Sequence, residues 1–472
     1  MFLLMIFVFI LGYVAIALEH KLNVNKAPVA LFLGVSLWVI LILDADGILS
    51  RDITGGFANF LKENTEVSNL PRWEQYIEYI SENQILKFVG EIAEILFFLM
   101  GAMTIVEIVD QHGGFNVITN RIKTRNKVQL LWIISVITFF MSAALDNLTT
   151  SIVMIALLRK LISRRQYRWL YAGMVIISAN AGGAWSPIGD VTTIMLWIKG
   201  NVTTAGIVPQ LFLPSLVSMI VPLTILSFYL KGTFSNISKA ESAKEKKVTI
   251  ATRRERHIIF ILGVGSLLFV PVFKVLTHLP PFMGMLFGLS LLWIFTEIMY
   301  YRKHELDEKA KMTVSRVLKN VDVPTILFFL GILSAVDALQ TAGHLALLSE
   351  WLDKSFTSVY PTNILIGILS AIVDNVPLVA GAMGMHNVVT PEMLSAAINP
   401  EIMANYLVDG KFWTLLAYCA GTGGSILIIG SAAGVAVMGL EKIDFVWYLK
   451  KVSLFALIGY FAGILTFFLM MG

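Results

Sequence analysis

The sequence predicts an all-α polytopic membrane protein built from two copies of one unit, and three observations predict it. The chain of 472 residues is 57% hydrophobic and only 14% charged, a balance suited to lipid rather than water. Two apolar segments each carry a central Asp-Asn pair, Asp146-Asn147 and Asp374-Asn375. Two others are interrupted by glycine clusters. Inside a bilayer only helices and closed barrels satisfy every backbone hydrogen bond, and long apolar windows point to helices.

Taken in order, uninterrupted spans are expected over residues 1–18, 28–43, 91–109, 208–230, 258–276, 282–300, 324–339 and 445–471. The first lacks the basic leader and small-residue cleavage site of a signal peptide, so it counts as a span. Segments 130–158 and 361–385 hold the Asp-Asn pairs, and charge decides how they run. Arg121, Lys123, Arg125 and Lys127 precede the first; Arg159, Lys160, Arg164, Arg165 and Arg168 follow it. Cytoplasmic loops collect Lys and Arg, so a straight crossing would strand one cluster outside, whereas a re-entrant hairpin keeps both inside. The second segment has flanks nearly free of basic residues, and a hairpin from the opposite face is expected. This topology places most of the 36 Lys and Arg residues on the inner side, with both termini outside. The formal charge of +4 then reflects basic loops beside a lipid bilayer and calls for no nucleic acid.

Residues 231–256, rich in Lys, Glu, Ser and Arg, read as a cytoplasmic linker between a first repeat, 1–230, and a second, 257–472. Ile95-Leu-Phe-Phe-Leu99 matches Ile326-Leu-Phe-Phe-Leu330, after which Glu107 falls opposite Asp337 if one residue is skipped. Ser142-Ala-Ala-Leu-Asp-Asn147 matches Ser370-Ala-Ile-Val-Asp-Asn375. Ala179-Asn-Ala-Gly-Gly183 matches Ala420-Gly-Thr-Gly-Gly424, bringing Gly189 onto Gly430. An odd number of crossings in each half turns the second half upside down relative to the first. This is the inverted-repeat plan of secondary transporters, whose sites lie near mid-membrane at broken helices.

A carboxylate at the centre of a span costs about 2.5–3.5 kcal/mol on an insertion scale, so Asp146 and Asp374 demand a use. Asn147, Asn375 and Ser370 add oxygen beside them. In the interrupted helix 171–198, Gly182-Gly183, Pro187 and Gly189 break the backbone and leave Asn180, Ser186, Asp190, Thr192 and Thr193 as further donors. The second interrupted helix, 412–440, keeps its glycines and offers Thr422, Ser425 and Ser431, but no carboxylate in the matching run. Hard oxygens suit an alkali cation or a proton, not a soft metal. Glu107 and Asp337 are further candidates for a proton or ion role. Helix capping is the plain alternative for Asp146, Asp374 and Asp190, and it is compatible with ion binding. The single cysteine, Cys419, excludes an internal disulfide, and the seven histidines share no ligand spacing. No zinc, phosphate-loop or nucleophile motif is apparent, so neither an enzyme nor a resident cofactor is expected.

Asp146-Asn147, the run from Asn180 to Thr193 and their repeats resemble the NhaD-type sodium/proton antiporters of the ion-transporter superfamily, over almost the whole chain. The resemblance implies a homodimer in a bacterial inner membrane and a static scaffold with a transport domain that moves like an elevator. It further implies two hairpins meeting two broken helices, and exchange of Na⁺ or Li⁺ for H⁺. Asp146, Asn147, Asp374 and Asn375 are the expected Na⁺ ligands. Dicarboxylate carriers of the same superfamily have a Ser-Asn-Thr triplet at the hairpin tips, where this chain has Asp-Asn-Leu and Asp-Asn-Val. Carboxylates there would repel a dianion. An organic-anion carrier and a cation channel are the rival expectations.

Overall fold

A computed structural model describes all residues except 18–23, 52, 54, 116–123, 235–250, 302–312, 357, 373–374 and 396–398. Asp374 and most of the linker lie outside the described residues, as do Arg121, Lys123, His20 and His304. The principal helices are α1 (Phe2–Ala17), α2 (Lys26–Leu43), α3 (Leu86–Gln111), α4 (Lys127–Leu145), α5 (Asn147–Leu161) and α6 (Arg165–Ala184). They continue as α7 (Val191–Ile198), α8 (Thr204–Tyr229), α9 (Arg253–Thr277), α10 (Pro281–Tyr301), α11 (Val323–Thr341) and α12 (His344–Ser355). The last are α13 (Val359–Ser370), α14 (Asn375–Met385), α15 (Lys411–Gly423), α16 (Ala432–Glu441), α17 (Phe445–Lys451) and α18 (Ser453–Met471). Eight helical runs among the described residues are long and apolar enough to cross a membrane, as expected of a multi-pass membrane protein.

Several expected boundaries move, and the last span, expected over 445–471, divides into α17 and the membrane-length α18. The span placed at 91–109 is the end of a helical run that starts at Arg72 and passes through a π-helical stretch, Glu78–Ile85. Its polar start is held by side-chain pairs, Arg72 Nε to Tyr76 Oη at 3.0 Å and Arg72 Nη1 to Gln75 Oε1 at 3.2 Å, which leave no hydropathy signal. Similarly, α9 begins at Arg253 rather than at 258, because Thr252 and Glu255 form a reciprocal capping box.

The chain forms two compact units, each drawing on both sequence halves. The first comprises residues 1–96, 322–362 and 376–406. Its centre is α2 against α11. Ala30, Leu33, Gly34, Leu37 and Leu41 recur at helical spacing on the buried face of α2. A Cβ on Gly34 would lie 2.6 Å from the Gly331 carbonyl oxygen, so the two backbones are nearly in contact. Close approach through small residues is how helices gain contact where lipid supplies no hydrophobic drive between them.

The second unit comprises residues 97–321, 363–375 and 407–472 and is organised around α6 and α15. Every residue from Tyr171 to Ala184 and from Phe412 to Gly423 is buried, the mark of helices enclosed on all sides. Against α6 pack α4, α5 and α8; against α15 pack α8 and α18; and the two touch each other. Helices α4 and α5 join through the single non-helical residue Asp146 and pack together, so the chain turns back there.

Candidate ion site

The site builds up from that turn. Asp146 has φ 103 and ψ 160, a conformation that costs a non-glycine residue about 1–3 kcal/mol. Its carboxylate offsets part of the cost by capping α5, accepting from Thr149 N at 2.7 Å and Thr149 Oγ1 at 2.8 Å. The strained turn throws the next side chain inward. Asn147 is buried, and its Nδ2 donates to Asp190 Oδ2 at 2.6 Å and Asn180 Oδ1 at 3.1 Å.

Asp190 sits in the extended break between α6 and α7 and is only 2% exposed. Its Oδ1 accepts from Thr192 N and Thr192 Oγ1, both at 3.0 Å. Thr193 completes a reciprocal cap: its Oγ1 accepts from Asp190 N at 3.2 Å and donates to Asp190 O at 2.8 Å. From the start of α14, Asn375 Nδ2 approaches the two carboxylate oxygens at 3.4 and 3.5 Å. On α6, Asn180 extends the network to the second broken helix, its Nδ2 donating to Ser425 Oγ and Ser431 Oγ at 2.9 Å each. Ser431 in turn caps α16 through Gly434 N. Asn147, Thr192 and Asn375 thus meet at one buried carboxylate, which Asn180 connects through Asn147 to Ser425 and Ser431; its burial is tolerable because amides and hydroxyls satisfy it.

The remaining candidates fall outside this network. Ser370 Oγ ties the end of α13 to α15 by donating to Ala420 O at 2.8 Å. Thr422 turns its hydroxyl onto its own helix, donating to Tyr418 O at 2.6 Å. Glu107 lies on α3 and accepts from Gln111 Nε2 at 2.7 Å. Asp337 is half-buried on α11 in the first unit.

Two supporting residues, Ser142 and Tyr448, are not among the donors the sequence singles out, and Ser186 serves as an anchor. Ser142 Oγ donates to Ala179 O at 2.6 Å, the counterpart of the Ser370 anchor, and its signal was its alignment with Ser370. Ser186 Oγ donates to Ala143 O at 2.6 Å, and Tyr448 Oη to Ser425 O at 2.8 Å. No sequence feature links Tyr448 to the site. Backbone contacts match as well. A Cβ on Gly182 would lie 2.2 Å from Phe139 O, and one on Gly423 would lie 2.1 Å from Gly367 O. These are equivalent positions of the two repeats.

Comparison with known proteins assigns the family. A family model described as citrate transporter matches residues 13–408. The chain belongs to this family. Within it, the citrate transporter family member described here is 43% identical to sodium/proton antiporter 1 of Arabidopsis thaliana, over 98% of this chain and 71% of the relative. It is 40% identical to sodium/proton antiporter 2 of the same plant, over 98% of both chains. The Na(+)/H(+) antiporter NhaD of Vibrio cholerae is 30% identical, over 98% of this chain and 90% of the relative. The resemblance to NhaD-type antiporters therefore extends along essentially the whole of this family member.

Proposed function

We propose that the chain is a secondary transporter that exchanges Na⁺ or Li⁺ for H⁺ across a bacterial inner membrane, working as an elevator-type homodimer of inverted repeats. The observation that carries this reading is the buried carboxylate of Asp190, which accepts from Asn147 and Thr192 and is approached by Asn375, while Asn180 links Asn147 to Ser425 and Ser431 of the second broken helix. Asp146, next to Asn147 in the chain, brings a second carboxylate to the same turn. A proton or a small cation neutralises the carboxylate of Asp190, so the two compete for one place. Asn147 and Asn375 present amide hydrogens to Asp190 in this arrangement; rotated by half a turn, they present carbonyl oxygens to a cation. If the empty, ionised site does not cross, only the loaded forms move, and a proton gradient drives cation export. The matched serine anchors and backbone contacts of the two repeats support the inverted-repeat plan.

The family description favours a second reading, an organic-anion carrier. An anionic centre disfavours it, since a dianion approaching Asp190 and Asp146 is repelled. Proteoliposomes with an imposed pH gradient separate the two. Addition of Na⁺ or Li⁺ is expected to dissipate the gradient, and citrate or succinate is expected to leave it intact. Gradient-linked uptake of citrate with no response to either cation would replace this reading with the second.

A further inference from the structure

Two helices that start at the site end together at a second, charged cluster. α5 starts at Asn147 and α16 just after Ser431, and the two pack against each other. At the end of α16, Glu441 is 4% exposed. A carboxylate is doubly out of place there, buried and at the negative end of a helix dipole. Two guanidinium groups hold it: Arg159 Nε on Oε1 and Arg168 Nε on Oε2, both at 2.6 Å. More donors close over the same helix end. Arg159 Nη2 also bonds Leu440 O, Arg165 Nη2 reaches Lys442 O at 2.9 Å, and Trp169 Nε1 reaches Glu441 O at 3.1 Å. All of them come from the last turn of α5 and the first turns of α6.

The far end of the other broken helix is tied in the corresponding way. Asp409, just ahead of α15, accepts from Thr203 N and Thr203 Oγ1 at 2.6 Å each, and its own N–H donates to Asn201 O at 3.0 Å, just beyond α7. Each broken helix therefore has its second half fastened to the start of the other. The tie at α16 is built from opposite charges, the tie at α7 from a carboxylate and a threonine. Only the Glu441 side of these pairs is fully buried, with Arg159 exposed and Arg168 partly so; such pairs add little net stability, which leaves register as the property they can fix.

We propose that Arg159, Arg168 and Glu441 form a positioning clasp that sets the spacing of Asn147 and Ser431 across the site and thereby the apparent affinity for the cation. The proposal rests on the antiporter reading above. Helix α16 is a strut of 10 residues, about 15 Å long at 1.5 Å per residue. A shift at Glu441 is carried down it to Ser431, from there to Asn180 and so to Asn147. Ion sites need their donors held to about 0.5 Å, which a loosened strut does not provide.

The test is the Na⁺ dependence of exchange in proteoliposomes for Glu441→Gln, Arg159→Gln and Arg164→Gln, beside wild type and Asp190→Asn. Arg164 is exposed, in the same basic cluster. Glu441→Gln and Arg159→Gln are expected to raise the half-saturating Na⁺ concentration on the order of tenfold with the maximal rate held within about twofold, as supporting residues of ion sites do. Arg164→Gln is expected to change neither. The proposal is overturned by an unshifted half-saturation in the clasp variants, by a fall in maximal rate alone, or by an equal shift in Arg164→Gln, which would indicate a diffuse field. Should Glu441→Gln fail to fold, Arg159→Gln decides, because Glu441 keeps Arg168. Wild type without Na⁺-driven exchange sinks the antiporter reading and the clasp with it. Exchange that is lost in Asp190→Asn but unshifted in the clasp variants sinks the clasp alone.

Discussion

Asp190 combines a helix cap with a buried negative charge, and substitution separates the two. Asp190→Asn keeps an oxygen for Thr192 N but removes the charge, so the protein is expected to fold while exchange falls at least about a hundredfold, roughly 2.7 kcal/mol. Thr193→Val removes the reciprocal half of the cap and leaves the charge; its expected cost is about 1 kcal/mol of stability with exchange retained. Thermal melts beside reconstituted exchange distinguish these outcomes, and an active Asp190→Asn would remove that carboxylate from the mechanism. Competition adds a pH dependence: the half-saturating Na⁺ concentration is expected to fall as pH rises, by up to about tenfold per unit while the site still holds its proton. The site was partly legible in the sequence. Asn147 and Asn375 stood out because they repeat, and Asp146 because it is a charge in an apolar run. Asp190 gave the weaker signal, since its centrality comes from tertiary approach of Asn147 and Asn375. One further residue carries a pH effect on stability. His344 packs its ring 3.8 Å from that of Phe2, and neither ring nitrogen has a hydrogen-bond partner. Burial, and secondly the nearby Arg51 charge, push its pKa down from 6.5 to about 4. The unfolded chain then binds the proton first, so stability is present above about 6.5 and lost as pH falls toward 4. Melting temperatures of wild type and His344→Leu over that window check it; parallel curves would contradict the assignment.

Among the elements, the two broken helices are constrained by backbone approach rather than by side chains. Gly182 meets the Phe139 carbonyl of α4 and Gly423 the Gly367 carbonyl of α13, with no room for a methyl group at either contact. Gly182→Ala and Gly423→Ala are each expected to lose about 1–3 kcal/mol of stability by overpacking. At Gly381 a methyl group would meet nothing within 4 Å, which makes it the tolerant control, with Gly381→Ala expected near wild type in a melt. Equal melting temperatures for all three would show that the helices yield at these contacts. Such breaks were visible in the sequence because glycine and proline punctuate an apolar run. The polar start of the run from Arg72 was not, because Arg72, Gln75 and Tyr76 stabilise helix without adding hydropathy. The cap of α9 was within reach, since Thr252 and Glu255 stand at capping-box spacing.

For the whole molecule, the decisive question is whether the Asp-Asn segments turn back or pass through. Helix α4 has 19 residues, enough to cross a bilayer alone, so its length does not decide. Two other features favour turning back. The chain reverses at Asp146, where α4 and α5 share one residue and pack together. Basic residues flank both ends of that segment, Arg125 and Lys127 before it and Arg159, Arg164, Arg165 and Arg168 after it, and the cytoplasmic side is where such residues collect. The second segment has the opposite flanks. Single cysteines at Arg125 and Ser163, and at Ser358 and Asn387, all exposed positions, report the sidedness. The native Cys419 is buried and is replaced by serine to clear the background. With a membrane-impermeant maleimide, Arg125→Cys and Ser163→Cys are expected to label from one face, and Ser358→Cys and Asn387→Cys from the other. Labelling of Arg125→Cys and Ser163→Cys from opposite faces would make the first segment a full crossing. Asp146 and Asn147 would then sit partway along a transmembrane path, and the paired, opposed hairpins that give the proposed exchange its closed site would be lost.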